Sequence, residues 1–361
     1  MMKPIQTRTS VCPYDCPDAC GLTLTIEGDQ LQQVRGMKEH KFTRGTLCQK
    51  MQHYERTVHH PGRLTTPLRR IGPKGSGQFT PITWEEALQD IAQQFQYCID
   101  TYGSESIMPY SYAGTMGILQ KSAGDPLFAM LGATRQDKGI CSPAKRYGWV
   151  SLMGSTLGNR PQDMQHSDCI ILWSLNAVAT DVHVLHDVTV ARQRGAKLWV
   201  IDTYHTETTK LADEVILLRP GTDGAFALGV AHVLVKEGLV HEEFIQQYVQ
   251  GYEGFRDTVV FQYPPSKVTQ ITGVPEERII EFARAYGSAV APFIRLGSGL
   301  SRYGNGANTV RCVVALPALV GAYLHKGGGL LSSASGSQFV GGQRVSWERF
   351  RRKETRLNPM I

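Results

Sequence analysis

From about residue 165 the chain alternates short apolar runs with amphipathic stretches, and nothing else in it limits the fold as strongly. The segments "DCIILWSLN", "KLWVIDT" and "EVILLRPGTD" have strand length and are apolar almost throughout, while "HVLHDVTVARQRG" and "AFALGVAHVLVKEG" carry helical spacing. Strands that are apolar on both faces and separated by helices build a parallel sheet covered on two sides. "PFIRLGSGLSR" reads as a further strand ending in a glycine-rich turn, and "GGGLLSSASGSQ" (Gly327 to Gln338) reads as a loop. The expected class is α/β.

The first sixty residues have a different character. "GLTLTIEGDQLQQVRG" alternates apolar and polar residues about Gly28-Asp29, a hairpin signal, so this part reads as a small β-rich unit. In "PITWEEALQDIAQQFQYCIDTYG" the apolar spacing changes to three and four, with Thr83 as N-cap and Glu86 three residues later completing a capping box. A chain of 361 residues exceeds one typical core, and two or three domains are expected. The net charge of +6 is spread along the chain without a block of like charges, so no nucleic-acid partner is expected. "MMKPIQTRTSVC" shows no leader-like apolar segment and no later window reads as a membrane span, which gives a cytoplasmic expectation.

Of eight cysteines, Cys98, Cys141, Cys169 and Cys312 stand alone, whereas Cys12, Cys16, Cys20 and Cys48 are spaced C-x3-C-x3-C-x27-C. Four thiolates can hold a tetrahedral zinc or an iron–sulfur cluster, and in an oxidising compartment they could pair as disulfides. Structural zinc sites usually face two close cysteine pairs against each other. Three ligands within nine residues and one far downstream suit the corners of a 4Fe–4S cube better.

"CPYDCPDAC…RGTLCQK", followed by "ERTVHHPGRLTTPLRRIG" and "PITWEEAL", resembles the opening of the molybdopterin oxidoreductases of the dimethyl sulfoxide reductase superfamily. "YSYAGTMG", "DCIILWSLNAVATDVH", "AKLWVIDTYHTETTKLADEVILLRPGTDGAFALGVAHVLV", "ITGVPEERIIEFARAY" and "LGSGLSRYGNGANTVRCVVALPALVGAY" continue the likeness in family order. The resemblance implies an oxidoreductase with a 4Fe–4S cluster and a molybdenum bis(molybdopterin guanine dinucleotide) centre, acting by oxygen-atom or electron transfer. It makes Cys12, Cys16, Cys20 and Cys48 the cluster ligands and places Lys50 between cluster and pterin. It aligns Cys141, in "LGATRQDKGICSPAKRYGW", with the protein ligand to molybdenum, Ser142 being the neighbouring alternative.

For the dinucleotide, the resemblance agrees with the general rule that ligands of α/β sheets bind beyond the carboxyl ends of the strands. It assigns Asn176, Asp202 and Asp223 to the guanosine end of one pterin, backbone approach to Gly221 and Thr222, and a pterin-lining turn to Gly297, Ser298 and Gly299. The sequence departs from the family in four places. "WSLNA" and "DTY" replace the usual "WGxNP" and "DPR", and Ser142 with "SSASGSQ" stands where formate dehydrogenases carry a His and an arginine-bearing segment, so formate oxidation is not expected.

The implied architecture is a cluster domain (1–60) followed by two Rossmann-like domains, one (137–295) inserted in the other (61–136 and 296–361). The family's chains are much longer, which leads to the expectation of an incomplete chain, or of a second chain that supplies the remainder. The implied partners are a small-molecule substrate and an electron-transfer protein. A different class of reading keeps the same motifs: a non-catalytic fragment that retains a cluster domain and a nucleotide-binding scaffold, or a zinc-binding protein.

Overall fold

The computed structural model describes residues 4–16, 18–111, 114, 120, 123–136, 142–155 and 157–332. Cys141 lies outside the described residues, as does the closing stretch "VSWERFRRKETRLNPMI".

The N-terminal unit is an antiparallel sheet of β1 (Ile5–Val11), β2 (Gly21–Glu27) and β3 (Gln30–Gly36), with β2 in the middle. The expected hairpin is present: Glu27 pairs with Gln30 across Gly28-Asp29, and a register shift at Thr25/Ile26 twists the ladder. A short pair, β4 (Leu68–Arg70) and β5 (Phe79–Pro81), leads into the helix Trp84–Tyr102. The capping box forms at its start. Thr83 Oγ1 accepts from the Glu86 amide at 3.2 Å, and the Thr83 amide donates to Glu86 Oε2 at 2.8 Å.

The larger sheet contains β6 (Cys169–Trp173), β7 (Lys197–Asp202), β8 (Glu214–Leu217), β9 (Pro292–Leu296) and β10 (Gly329–Ser332), arranged β8-β7-β6-β9-β10. Every neighbouring pair is parallel. All five residues of β6 are buried, as a strand in the centre of a doubly covered sheet must be.

The strand period of two divides the apolar residues between two cores. Ile171, Trp173, Trp199 and Ile201 face one side, against Phe226 of the helix Asp223–Lys236 and Phe282 of the helix Glu276–Ser288. Ile170, Leu172, Leu198 and Val200 face the other, against Val184, Val188 and Ala191 of the helix Val184–Gln193. Trp199 and Phe282 meet edge to face at 5.1 Å. Each such side chain, wholly removed from water, contributes about 1.5–3 kcal/mol.

One expectation needs correction. The stretch Gly327 to Gln338 is not all loop, since Gly329–Ser332 forms β10 and pairs with β9 through Leu330↔Ile294. A glycine- and serine-rich segment has low strand propensity by itself, but here the buried edge of β9 and the core position of Leu330 override it. The domain boundary expected at residue 296 falls inside this sheet. The described residues 296–332 add β10 and the helix Gly306–Leu319, whose Val310, Val313 and Val314 pack in the core of Trp173 and Phe226. These residues pack with the sheet begun by β6.

At the carboxyl end of β6 the chain separates from both neighbours. The Ser174 amide donates to Ile201 O of β7 at 2.7 Å, and the Gly297 amide, just past β9, donates to Trp173 O at 2.8 Å. Ser174 turns the chain with φ 54°, a left-handed conformation that costs an L-residue about 1–2 kcal/mol. A Cβ on Gly297 would lie 1.8 Å from Ser174 O, so two backbones meet where a side chain has no room. Ser174→Gly should accordingly raise stability in urea unfolding by up to about 1 kcal/mol, relieved strain exceeding the added unfolded-state entropy. Gly297→Ala should lower it by at least ~3 kcal/mol or prevent folding.

Candidate functional site: a cysteine-lined recess and the adjoining sheet edge

Two segments of the N-terminal unit, the β1–β2 connection and the return after β3, carry the four cysteines to one place. Cys12 leaves β1 and Cys20 enters β2, and the Cys12 amide donates to Cys20 O at 2.9 Å, closing the intervening loop. Beyond β3 the chain doubles back so tightly that a Cβ on Gly36 would lie 2.3 Å from Gly45 O, and this return brings in Cys48. The wholly buried Met51 packs with Cys20, Leu22 and Val34 into a small core against which Cys12 and Cys48 rest.

Cys12, Cys16, Cys20 and Cys48 line a single recess together with Tyr14, Lys50 and, from the larger unit, Thr180, Val182 and His183. Its volume is about 20 Å³, little more than the ~10–15 Å³ that admits one water, so the recess is small. Among the described residues no three Cys, His, Asp or Glu side chains converge as the shell of one metal ion requires. Four sulfurs line one recess without closing into the tight shell of a single ion, so the donor set fits a cluster better than a single zinc. Burial pushes the Cys16 thiol up to about 12 and raises Cys12 as well. Cys12 and Cys16 are therefore neutral until a ligand displaces their protons.

A buried row of charged side chains connects the recess to the sheet. His183 Nδ1 lies 2.5 Å from Asp18 Oδ2, while its Nε2 lies 3.0 Å from Thr46 O and 3.7 Å from Cys20 Sγ. Burial alone would lower the imidazole, but hydrogen bonds to Asp18, Cys20 and Thr46 outweigh it and push its pKa up to about 10. Asp181, two residues before His183, pairs with Arg295 of β9 at 2.5 Å, both side chains being at most 5% exposed. Burial raises Asp181, Arg295 pulls it back and the nearby Asp18 raises it again, leaving it above the usual carboxylate range.

The residues expected to hold a dinucleotide stand along the carboxyl edge of the parallel sheet. Asn176 follows β6, and its Oδ1 accepts from Thr208 Oγ1 at 2.9 Å. Asp202 ends β7, buried, and accepts from the Thr203 amide at 2.7 Å. Gly221 packs on the Tyr303 ring, and Thr222 precedes the helix Asp223–Lys236 and donates to Arg219 O. Asp223 is buried; its Oδ1 accepts from Trp173 Nε1 at 2.8 Å, whereas its buried Oδ2 has no partner among the described residues. A carboxyl oxygen without a partner at a sheet edge is what a ligand's N–H or O–H donor would satisfy, so the edge fits a nucleotide.

Past β9, Ser298 Oγ accepts from the buried Lys145 Nζ at 2.8 Å. Gly297 and Gly299 are both pressed against Ser174, a packing need that accounts for them without any ligand.

Sequence reasoning located the cysteines and the strand ends and missed Asp18, His183, Asp181, Arg295 and Lys145. The available signal was thin: an arginine within the otherwise apolar "PFIRL", and an Asp between two cysteines in "CPDAC".

Comparison with known proteins gives the same division. The family model for the molybdopterin oxidoreductase Fe4S4 domain matches residues 5–60, and that for molybdopterin oxidoreductase matches residues 63–349. The probable oxidoreductase YoaE of Bacillus subtilis is 41% identical over 328 residues, which are 91% of this chain and 48% of that protein. The dimethyl sulfoxide reductase DmsA of Escherichia coli is 30% identical over 86% of this chain and 43% of its own length. The F420-dependent formate dehydrogenase 1 subunit alpha of Methanococcus maripaludis is 31% identical over 86% of this chain and 45% of its own. Among solved structures, acetylene hydratase from Pelobacter acetylenicus superposes with a TM-score of 0.72 at 26% identity, over 87% of this chain and 43% of that one. The chain spans about half the length of the curated relatives it matches. With both family models covering it in order, and the cysteine recess and sheet edge where they meet, the chain belongs to the molybdopterin oxidoreductases.

Proposed function

We propose that the protein is a molybdenum-dependent oxidoreductase, working by oxygen-atom or electron transfer at a bis(molybdopterin guanine dinucleotide) centre with a 4Fe–4S cluster as its electron port. The observation that carries this reading is the convergence of Cys12, Cys16, Cys20 and Cys48 on one recess beside a parallel-sheet edge. Those four cysteines hold the cluster. Lys50 sits in the same recess and its charge favours the Cys12 thiolate, a suitable place for a cation between cluster and pterin. Asn176, Asp202 and Asp223, with backbone at Gly221 and Thr222, receive the guanosine end of one pterin, and the Gly297–Gly299 turn lines it. Cys141 supplies the protein ligand to molybdenum.

When bound, the molybdenum–pterin group supplies two-electron chemistry and the cluster passes electrons singly. The chain's own contribution is to hold these groups in register and to keep water from them. The larger unit is Rossmann-like on this reading: counted along its own sheet the strands run 3-2-1-4-5, and the reversal between β6 and β9 marks the crevice where such sheets bind dinucleotides. An electron-transfer protein docks near the recess, and the substrate is a small molecule. We place the protein in the cytoplasm; among the described residues no helix is long and apolar enough to cross a membrane.

Iron, acid-labile sulfide, zinc and molybdenum in the anaerobically purified protein test the reading, together with reduction of sulfoxides and N-oxides by a viologen dye. Iron with sulfide and a brown chromophore are expected. Tightly held zinc without iron would establish the zinc-binding alternative, and a cluster without molybdenum or turnover would favour a non-catalytic scaffold. Cys16→Ser should bleach the chromophore and lower the iron content well below the wild type.

A second prediction follows from Asp223, whose pKa burial raises. The folded state keeps a proton that the unfolded chain releases above about pH 4, so this group removes stability as pH rises from there through the raised folded pKa. In thermal melts without nucleotide, Asp223→Asn should gain on the wild type progressively from pH 4 to pH 7. A constant difference across that range would show that Asp223 carries no buried charge.

A further inference from the structure

The imidazole of His183 is supplied by the larger unit, just before the helix Val184–Gln193, yet it forms a wall of the cysteine recess in the N-terminal unit. Its side chain is 2% exposed and that of its partner Asp18 is 5% exposed. The hydrogen-bonding partners fix where its protons lie. Nε2 faces Thr46 O at 3.0 Å, and a carbonyl oxygen can only accept, so Nε2 carries a hydrogen. That same nitrogen is 3.7 Å from Cys20 Sγ, within hydrogen-bond reach of sulfur. The N–H is thus shared between a carbonyl and a cysteine sulfur. On the far side of the ring, Asp18 Oδ2 at 2.5 Å prevents the imidazole from rotating away.

We propose that His183 is a positioning residue for the iron–sulfur cluster: its Nε2–H donates to Cys20 Sγ and raises the reduction potential of the one-electron couple. The proposal rests on the assignment of Cys20 as a cluster ligand. Hydrogen bonds to ligand sulfurs are among the factors that set cluster potentials. When one electron enters the cluster from a one-electron carrier, negative charge on the sulfurs grows. A fixed N–H beside one of them stabilises the reduced form more than the oxidised form. No bond is made or broken and no proton leaves the ring.

The contact joins two units distant in sequence, so the potential also reports whether the larger unit is docked. Asp18 closes the ring contact from the cluster side, and the Asp181–Arg295 pair ties the segment before His183 to β9 from the other. The crevice at the end of β9 and the cluster are thereby held to one frame through buried charged groups.

The test uses the purified, cluster-loaded protein and two substitutions. His183→Leu fills the space without a donor, while His183→Gln keeps an amide N–H near the position of Nε2. In dye-mediated redox titrations followed by electron paramagnetic resonance, His183→Leu should lower the potential enough to change the oxidised-to-reduced ratio at least tenfold at fixed potential, ~59 mV for one electron. His183→Gln should recover most of the wild-type value. An unchanged potential in a cluster-loaded Leu variant, or a Gln variant shifted as far as the Leu variant, overturns the proposal. Pulsed electron paramagnetic resonance of the reduced wild type, with 15N-labelled histidine, decides the matter if the Leu variant loses its cluster. A weak nitrogen coupling from one histidine is expected, and its absence overturns the hydrogen bond. Wild-type protein without iron would instead refute the cluster assignment itself, an outcome separate from these.

Discussion

A carboxyl group and an imidazole, 165 positions apart in sequence, meet out of water between Asp18 and His183, and the site is assembled around that contact. Each unit has its own core: Met51 and its neighbours hold the three-stranded sheet, and the two faces of the parallel sheet carry separate apolar clusters. Those cores explain why each unit is ordered, but not why the cysteines face the sheet edge. Charged and polar groups withdrawn from water are costly unless paired, and removing one partner of a buried pair typically costs 3–5 kcal/mol. Any docking that separated Asp18 from His183 would incur that cost, so this pair helps to fix the relative placement of the two units.

The sheet edge illustrates the opposite arrangement. Where β6 separates from β7 and β9, the surfaces in contact are backbone against backbone, with Ser174 held in a left-handed turn and Gly297 pressed on its carbonyl. This gives the crevice a floor without flexible side chains. The groups with chemistry, Asp202 and Asp223, rise from that floor at strand and helix ends, and Asp223 is fixed by Trp173 from beneath. The family's usual glycine in "WGxNP" has a physical counterpart here, since position 174 is where the backbone enters the conformation that glycine adopts without strain.

Much of this was legible in the residues. The hairpin about Gly28-Asp29, the capping box at Thr83 and the parallel strands are local patterns, and local patterns survive folding when burial agrees with them. The cysteine recess was legible because four thiols at that spacing have few chemical uses. What escaped is the long-range component. β10 is a glycine- and serine-bearing segment that becomes a strand because β9 offers it an edge. Asp18, His183, Asp181 and Arg295 are unremarkable one by one. Their roles come from pairing across more than a hundred residues, which no periodicity encodes.

The unequal burial of the four thiols has a consequence for how the site is filled. Cys20 is 4% exposed and lies beneath the imidazole of the second unit, while Cys12, Cys16 and Cys48 remain half-open to the recess. On the proposed cluster assignment, incoming iron and sulfide would meet three accessible corners and one that is shielded. The shielded corner is the one already touched by a residue from the sheet, so it is built into the scaffold, whereas the other three form the entrance. Small oxidants arriving from solvent meet the same asymmetry, which makes the entrance side the place where damage to a bound cluster would begin.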